Sequence, residues 1–280
     1  MHLGVALLLH PAARIALTDF TVHPSTVIGL AGVGALYHWR AGQHPAERAD
    51  ASPTSGQRAT FYSALALIFL SLNGWLHDLS DGYLFSAHMV QHLVLTLVTP
   101  PMLVLGTPGW MLRPVLRWPV VGRLARWVTA PARCFAIFNV VLIAWHLPPM
   151  YELAMRHHPV HIVQHLCFMT AAVLMWWPVL SPLPELPRLS YPGQMLYLFL
   201  LSIPMSLVAV CIGYADHLLY PYYASQPRVW GITPMQDQMI GALIMWIPGG
   251  LFFFAIISVV FFKWQQVDGD ESRAGAQVRG

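Results

Sequence analysis

The chain has 280 residues, of which 56% are hydrophobic and only 10% charged, with a formal net charge of +3. Soluble domains carry about 25% charged residues, so this composition excludes an ordinary soluble domain and points to a polytopic protein whose surroundings are the lipid bilayer. The basic residues are spread over loops rather than gathered into a patch, which excludes nucleic acid as an expected partner.

Residues 1–21 read as an outer N-terminal segment. Its apolar stretch Leu3 to Leu9 is too short to cross a bilayer and lacks a basic flank, so a cleaved signal peptide is not expected. Apolar stretches of about 17–25 residues, long enough to span, then follow at 22–39, 59–76, 86–106, 132–147, 160–180, 192–213 and 235–262. Between the first two, 40–58 is a polar loop. Between the third and fourth, 107–130 sets four arginines among Trp110, Leu112, Leu116, Trp118, Leu124 and Trp127, and reads as amphipathic and lying along the inner surface. Pro100-Pro101 and Pro248-Gly249-Gly250 interrupt the third and seventh spans and mark either a cavity or a packed kink. Residues 264–280 read as a disordered cytoplasmic tail, leaving 22–263 as the membrane domain. The expected fold is all-α: a polytopic transmembrane helical bundle of seven spans.

Loop charge sets the expected orientation. Twelve of the 15 basic residues fall on one set of loops, and only Arg14, Arg156 and Arg228 on the other. The positive-inside rule then puts the N-terminus outside and the C-terminus inside. With that topology, 12 of the 14 histidines lie outside or in the outer half of a span, and only His38 and His44 lie inside. Such a bias points to metal, haem or protons handled at the outer face.

Two pentapeptides carry most of the chemical signal: His88-Met-Val-Gln-His92 and His161-Ile-Val-Gln-His165. Residues at i and i+4 share a helix face with Cβ atoms about 5–6 Å apart, so each pair offers two imidazoles to one spot. The second to seventh spans also fall into a pattern. His77, His146 and His217 stand near three outer turns, and the helices returning from those turns begin near His88, His161 and Met235, at nearly equal spacing. This suggests a three-fold repeat of helical hairpins after the first span, with Met235 and Met239 occupying the i and i+4 positions in the third. Imidazole with thioether is a copper-friendly set, although methionine is also common apolar filler. Asp237 reads as a proton carrier or ligand, or equally as a carboxylate near a helix N-terminus. Asp78 and Asp81 read as solvated. The three cysteines form no CxxC pair, so neither a disulfide framework nor a zinc finger is expected.

These motifs resemble a known family. His88–His92 leads into Thr99-Pro-Pro-Met-Leu-Val-Leu-Gly-Thr-Pro108; Trp145-His-Leu-Pro-Pro-Met-Tyr-Glu152 forms a turn; His161–His165 precedes Trp176-Trp-Pro178; and Asp237-Gln leads to Gly241 and Met245-Trp-Ile-Pro-Gly-Gly250. Together they are similar to the CtaG family of caa(3)-type cytochrome c oxidase assembly factors, in its seven-span bacterial form. The resemblance implies a bacterial plasma-membrane protein that is not an enzyme, with cytochrome c oxidase subunits as partners and copper as proposed cargo. It carries family roles onto His88, His92, His146, His161, His165 and Asp237, while a ligand role for Met239 comes only from spacing. No HExxH, GxSxG or nucleotide fingerprint is present. Three functions stay open: a Cu(I)-binding assembly factor, a haem protein with bis-histidine ligation, and a metal-free scaffold. A homodimer stays open as well.

Overall fold

A computed structural model describes residues 20–43 and 52–279, with side chains described through residue 270. The outer N-terminal segment, with His2, His10 and Arg14, falls almost wholly outside the described residues, as does most of the 40–58 loop, His44 included. Among the described residues the chain is helical throughout, without strands.

The first helix, α1 (Pro24–Gly42), packs on α2 (Ser55–Leu72). Tyr37 stacks on Phe61 with centroids 3.9 Å apart, and its hydroxyl donates to the Gly106 carbonyl at 3.0 Å. Helix α2 starts in a full capping box: the Thr54 hydroxyl accepts from the Gln57 amide while the Gln57 side chain accepts from the Thr54 amide. The predicted span 59–76 does not run straight through. It breaks at Asn73-Gly74, and the chain turns by 41° into α3 (Gly74–Gly82). Gly74 has φ +65°, and a Cβ there would meet the Phe20 ring at 2.2 Å, so both backbone and space demand glycine. The buried Asn73 side chain ties the end of α2 to the start of α1: it donates to the Phe69 carbonyl at 2.8 Å and accepts the His23 amide at 2.7 Å.

The predicted span 86–106 is built from α4 (Phe85–Leu93), a π-helical turn (Val94–Val98) and α5 (Thr99–Gly106). The prolines explain the turn. In a regular helix the Thr96 carbonyl would take the amide of residue 100, which is proline and has none. The Trp176 indole donates to that carbonyl instead, at 3.1 Å, and the Thr99 amide reaches back to Val94. Pro100-Pro101 is therefore a packed kink. Two short helices follow, α6 (Gly109–Leu116) and α7 (Pro119–Val128), within the arginine-rich segment read as amphipathic. A 74° bend separates α7 from α8 (Pro131–His146).

Helix α9 (Pro148–Arg156) connects α8 to α10 (His158–Leu180), and α11 (Tyr191–Gly213) is joined by a 3₁₀ turn (Pro221–Ser225) to α12 (Pro234–Arg279). Pro248 does not break α12, which continues as helix through the residues expected to form a disordered tail. Among the described residues, four segments are long and apolar enough to cross a membrane: Phe85–Gly106, His158–Leu180, Tyr191–Gly213 and Pro234–Asp270. The number rises to six if each bent pair, α2 with α3 and α7 with α8, is one span. Helix α1 is not in this set, because four glycines and the His38-Trp39-Arg40 end dilute its apolar content. The main core lies between α4, α8, α10, α11 and α12, with Phe138, Met175, Trp176, Leu201 and Phe253 fully buried in it.

Candidate metal centre

The start of α4 is held from another helix. Both carboxylate oxygens of Asp237, on α12, accept amides of the first turn of α4: Phe85 at 2.7 Å and Ser86 at 3.0 Å. These N–H groups have no partner within their own helix, and a negative charge at this end also suits the helix dipole. Asp237 is fully buried. A Cβ on Gly241, one turn further along α12, would meet Phe85 at 2.3 Å, so the two helices approach closely at this level.

Fixed in this way, α4 turns His88 and His92 toward α10, which presents His161 and His165. Within each pair the ring centroids are 4.3 Å apart. Across the helices His88 lies 5.4 Å from His161 and 6.1 Å from His165, and His92 lies 5.4 Å from His165. Nitrogens of His88, His161 and His165 all fall within 4.8 Å of one another. All four rings are buried. Both nitrogens of His88 and of His92, and Nε2 of His161 and His165, have no hydrogen-bond partner. Buried polar atoms are normally paired, and leaving one unpaired costs roughly 1–3 kcal/mol. Unpaired nitrogens on three buried imidazoles that lie within 4.8 Å of one another fit a cation with nitrogen ligands.

The surroundings also select a tautomer. His161 Nδ1 lies 3.1 Å from Asp81 Oδ2, so its N–H points at the carboxylate and Nε2 keeps its lone pair. The same carboxylate takes His77 Nε2 at 3.4 Å, while Ser80 donates to its other oxygen at 3.0 Å. Gln91, the glutamine of the first pentapeptide, donates to the Ser71 carbonyl at 2.6 Å and to His77 Nδ1 at 3.2 Å. Asp81 was expected to be solvated; instead it is the carboxylate that orients two imidazoles. The available signal was spacing, since His77 and Asp81 stand at i and i+4 on α3.

Tyrosines close the centre. Tyr151 of α9 lies 5.4 Å from the His88 ring and hydrogen-bonds Tyr223 at 2.9 Å, whose own hydroxyl donates to the Ser80 carbonyl. Tyr220 donates to the His146 carbonyl at 2.9 Å and stacks on Phe85, and Tyr222 donates to the Asp81 carbonyl at 2.8 Å. The three connectors α3, α9 and the 3₁₀ turn thus meet over the imidazoles. Glu152 braces this cap by accepting the Tyr222 amide at 2.7 Å and pairing with Arg156 at 2.8 Å. On one flank a cavity of about 370 Å³ between α1, α2 and α10 leads to His77, His161 and His165, with His23 and His158 at its mouth.

The other expected ligands lie elsewhere. His146, at the end of α8, is adjacent to His92 at 6.4 Å rather than in the trio. Asp237 serves the α4 N-terminus. Met239 does not join the imidazoles: half its surface is exposed, and it lines a separate pocket with Tyr214 and Trp246. The three cysteines are free thiols, with buried Cys134 donating to the Val128 carbonyl.

Comparison with known proteins agrees with the motifs. An uncharacterized protein of Mycobacterium bovis is 24% identical over 266 residues, covering 87% of this chain and 39% of that protein, and one of Mycobacterium tuberculosis gives the same figures. An uncharacterized protein of Mycobacterium leprae is 22% identical over 220 residues, 73% of this chain and 33% of that protein. The chain thus spans about two fifths or less of the length of the curated relatives it matches. No solved structure matches it. The sequence profile described as cytochrome c oxidase caa3 assembly factor (Caa3_CtaG) matches residues 33–266, most of the chain, and the protein belongs to that family.

Proposed function

We propose that this protein is an assembly factor for a haem-copper cytochrome c oxidase that binds Cu(I) through His88, His161 and His165 and passes it to an oxidase subunit by ligand exchange. The observation that carries the reading is the trio itself: three buried imidazoles with converging, unpaired nitrogens, one of them oriented by Asp81. Neutral imidazole is a good ligand for copper, and the carboxylate behind His161 raises its basicity. His77 and His161, the two imidazoles that Asp81 holds, line the flank cavity, which offers a route by which an ion can be exchanged.

In this reading the chain crosses the bacterial plasma membrane seven times, α1 included, with its N-terminus outside. The connectors α3 and α9 and the 3₁₀ turn then face outward, and the trio lies beneath them in the half of the membrane nearer the side on which copper is supplied.

The test pairs function with content. In cells lacking the protein, the wild type should restore copper-loaded, active oxidase in the membranes, and His161→Ala with His165→Ala should not. Full oxidase activity and copper content with the double variant would sink the copper reading. A Soret band in the purified protein would replace it with the bis-histidine haem reading.

A further inference from the structure

One helical turn below the trio, the core holds a second cluster that the outer site does not use. A small void of about 20 Å³ is bounded by Met89, Met205, Met245, His92 and His146. The five side chains come from α4, α8, α11 and α12, and each is more than nine-tenths buried. His146 Nδ1 points at the Leu142 carbonyl at 2.7 Å, which puts its proton there and leaves Nε2 as a bare lone pair. That Nε2 and both nitrogens of His92 have no partner. Phe168 meets both rings edge-on, at 4.7 Å from His92 and 5.9 Å from His146, and fixes their orientation.

The geometry points to a second Cu(I) site at this void, with His92 and His146 as nitrogen ligands and the thioethers of Met205 and Met245 completing it, Met89 lining the void beside them. The inference rests on the copper reading above and extends it to two ions per chain. Chemistry discriminates the occupant. A void of this size also admits a water, which needs about 10–15 Å³, but a water gains little from thioether sulfur, a weak acceptor. Zinc takes imidazole, thiolate and carboxylate rather than thioether. Thioether with imidazole in a dry pocket is the donor set of Cu(I). His88 and His92 are neighbours on one helix face at 4.3 Å, so an ion can pass from the outer trio to the inner site by exchanging imidazoles.

The experiment is an anaerobic titration of the purified, detergent-solubilised protein with Cu(I) against a colorimetric chelator, with X-ray absorption at the copper edge. Two equivalents are expected for the wild type, with both nitrogen and sulfur scattering. Met205→Leu and Met245→Leu conserve volume and apolarity and so retain the fold; each should weaken binding of one equivalent at least tenfold and reduce the sulfur signal. His161→Ala should lose the other equivalent and keep the sulfur. A wild type that binds one equivalent with no sulfur scattering, or methionine variants identical to it, overturns the inner site and leaves the trio standing; in that outcome a bridging water fills the void. A wild type that binds no copper overturns both sites.

Discussion

At the scale of single residues, the centre depends on two carboxylates with different tasks. Asp81 acts through His161 and His77, holding their protons on the side away from the trio. Such outer partners are worth about 10–100-fold in metal affinity. Asp81→Ala should therefore weaken copper binding by about that factor without changing the number of ions bound, as read by chelator competition; unchanged affinity would show that the carboxylate is only structural. Asp237 carries the first turn of α4. Asp237→Ala leaves two buried amides unpaired and should lower stability by about 2–4 kcal/mol, seen in thermal unfolding in detergent, and a variant as stable as wild type would contradict the capping role.

The two HxVQH pairs were legible because i, i+4 spacing on a helix dictates a shared face. Asp81 was not legible as a partner, because a carboxylate in a polar turn reads as solvated until α10 is placed beside it. Met239 misled for a reason of phase. At 3.6 residues per turn, the inward face of α12 runs through Asp237, Gln238, Ala242, Met245 and Phe253, all buried, and Met239 lies off it. The methionine turned toward the histidines is Met245, about one and two-thirds turns further on.

At the scale of elements, the sequence marked where helices are interrupted and left open how. The break between α2 and α3 needs Asn73 and Gly74 together, and the apolar run across 59–76 hides it because neither residue lowers hydropathy enough to divide a span. The π-helical turn before Pro100 is compensated by a residue 80 positions away, Trp176. Trp176→Phe keeps most of the volume but leaves the Thr96 carbonyl without its donor. It should cost about 1–3 kcal/mol of stability, measurable by thermal unfolding, and no loss would mean that water or a shifted helix satisfies the carbonyl. Three connectors, α3, α9 and the 3₁₀ turn, meet through Tyr151, Tyr222 and Tyr223. Of the three i, i+4 pairs expected to line one site, α4 and α10 bring theirs together, whereas α12 turns Asp237 and Met245 inward instead of Met235 and Met239.

At the scale of the whole molecule, the proposed orientation rests on loop charge alone. Asp216 and Glu185 are both well exposed and lie at opposite ends of α11. With the connectors outward, a membrane-impermeant thiol reagent should label Asp216→Cys in intact cells and Glu185→Cys only after permeabilisation, in a background without Cys211. Reversed accessibility would invert the topology and place the imidazoles on the inner side. The fold brings three connectors over a trio of imidazoles, and the proposal that the protein delivers copper depends on that trio holding it. The decisive measurement is the copper content of the purified protein after anaerobic Cu(I) loading and removal of free ion. At least one ion per chain, bound with imidazole scattering and lost from the trio in His88→Ala with His161→Ala, is the predicted result. Background copper in the wild type, or a double variant that retains all of it with unchanged scattering, would contradict it.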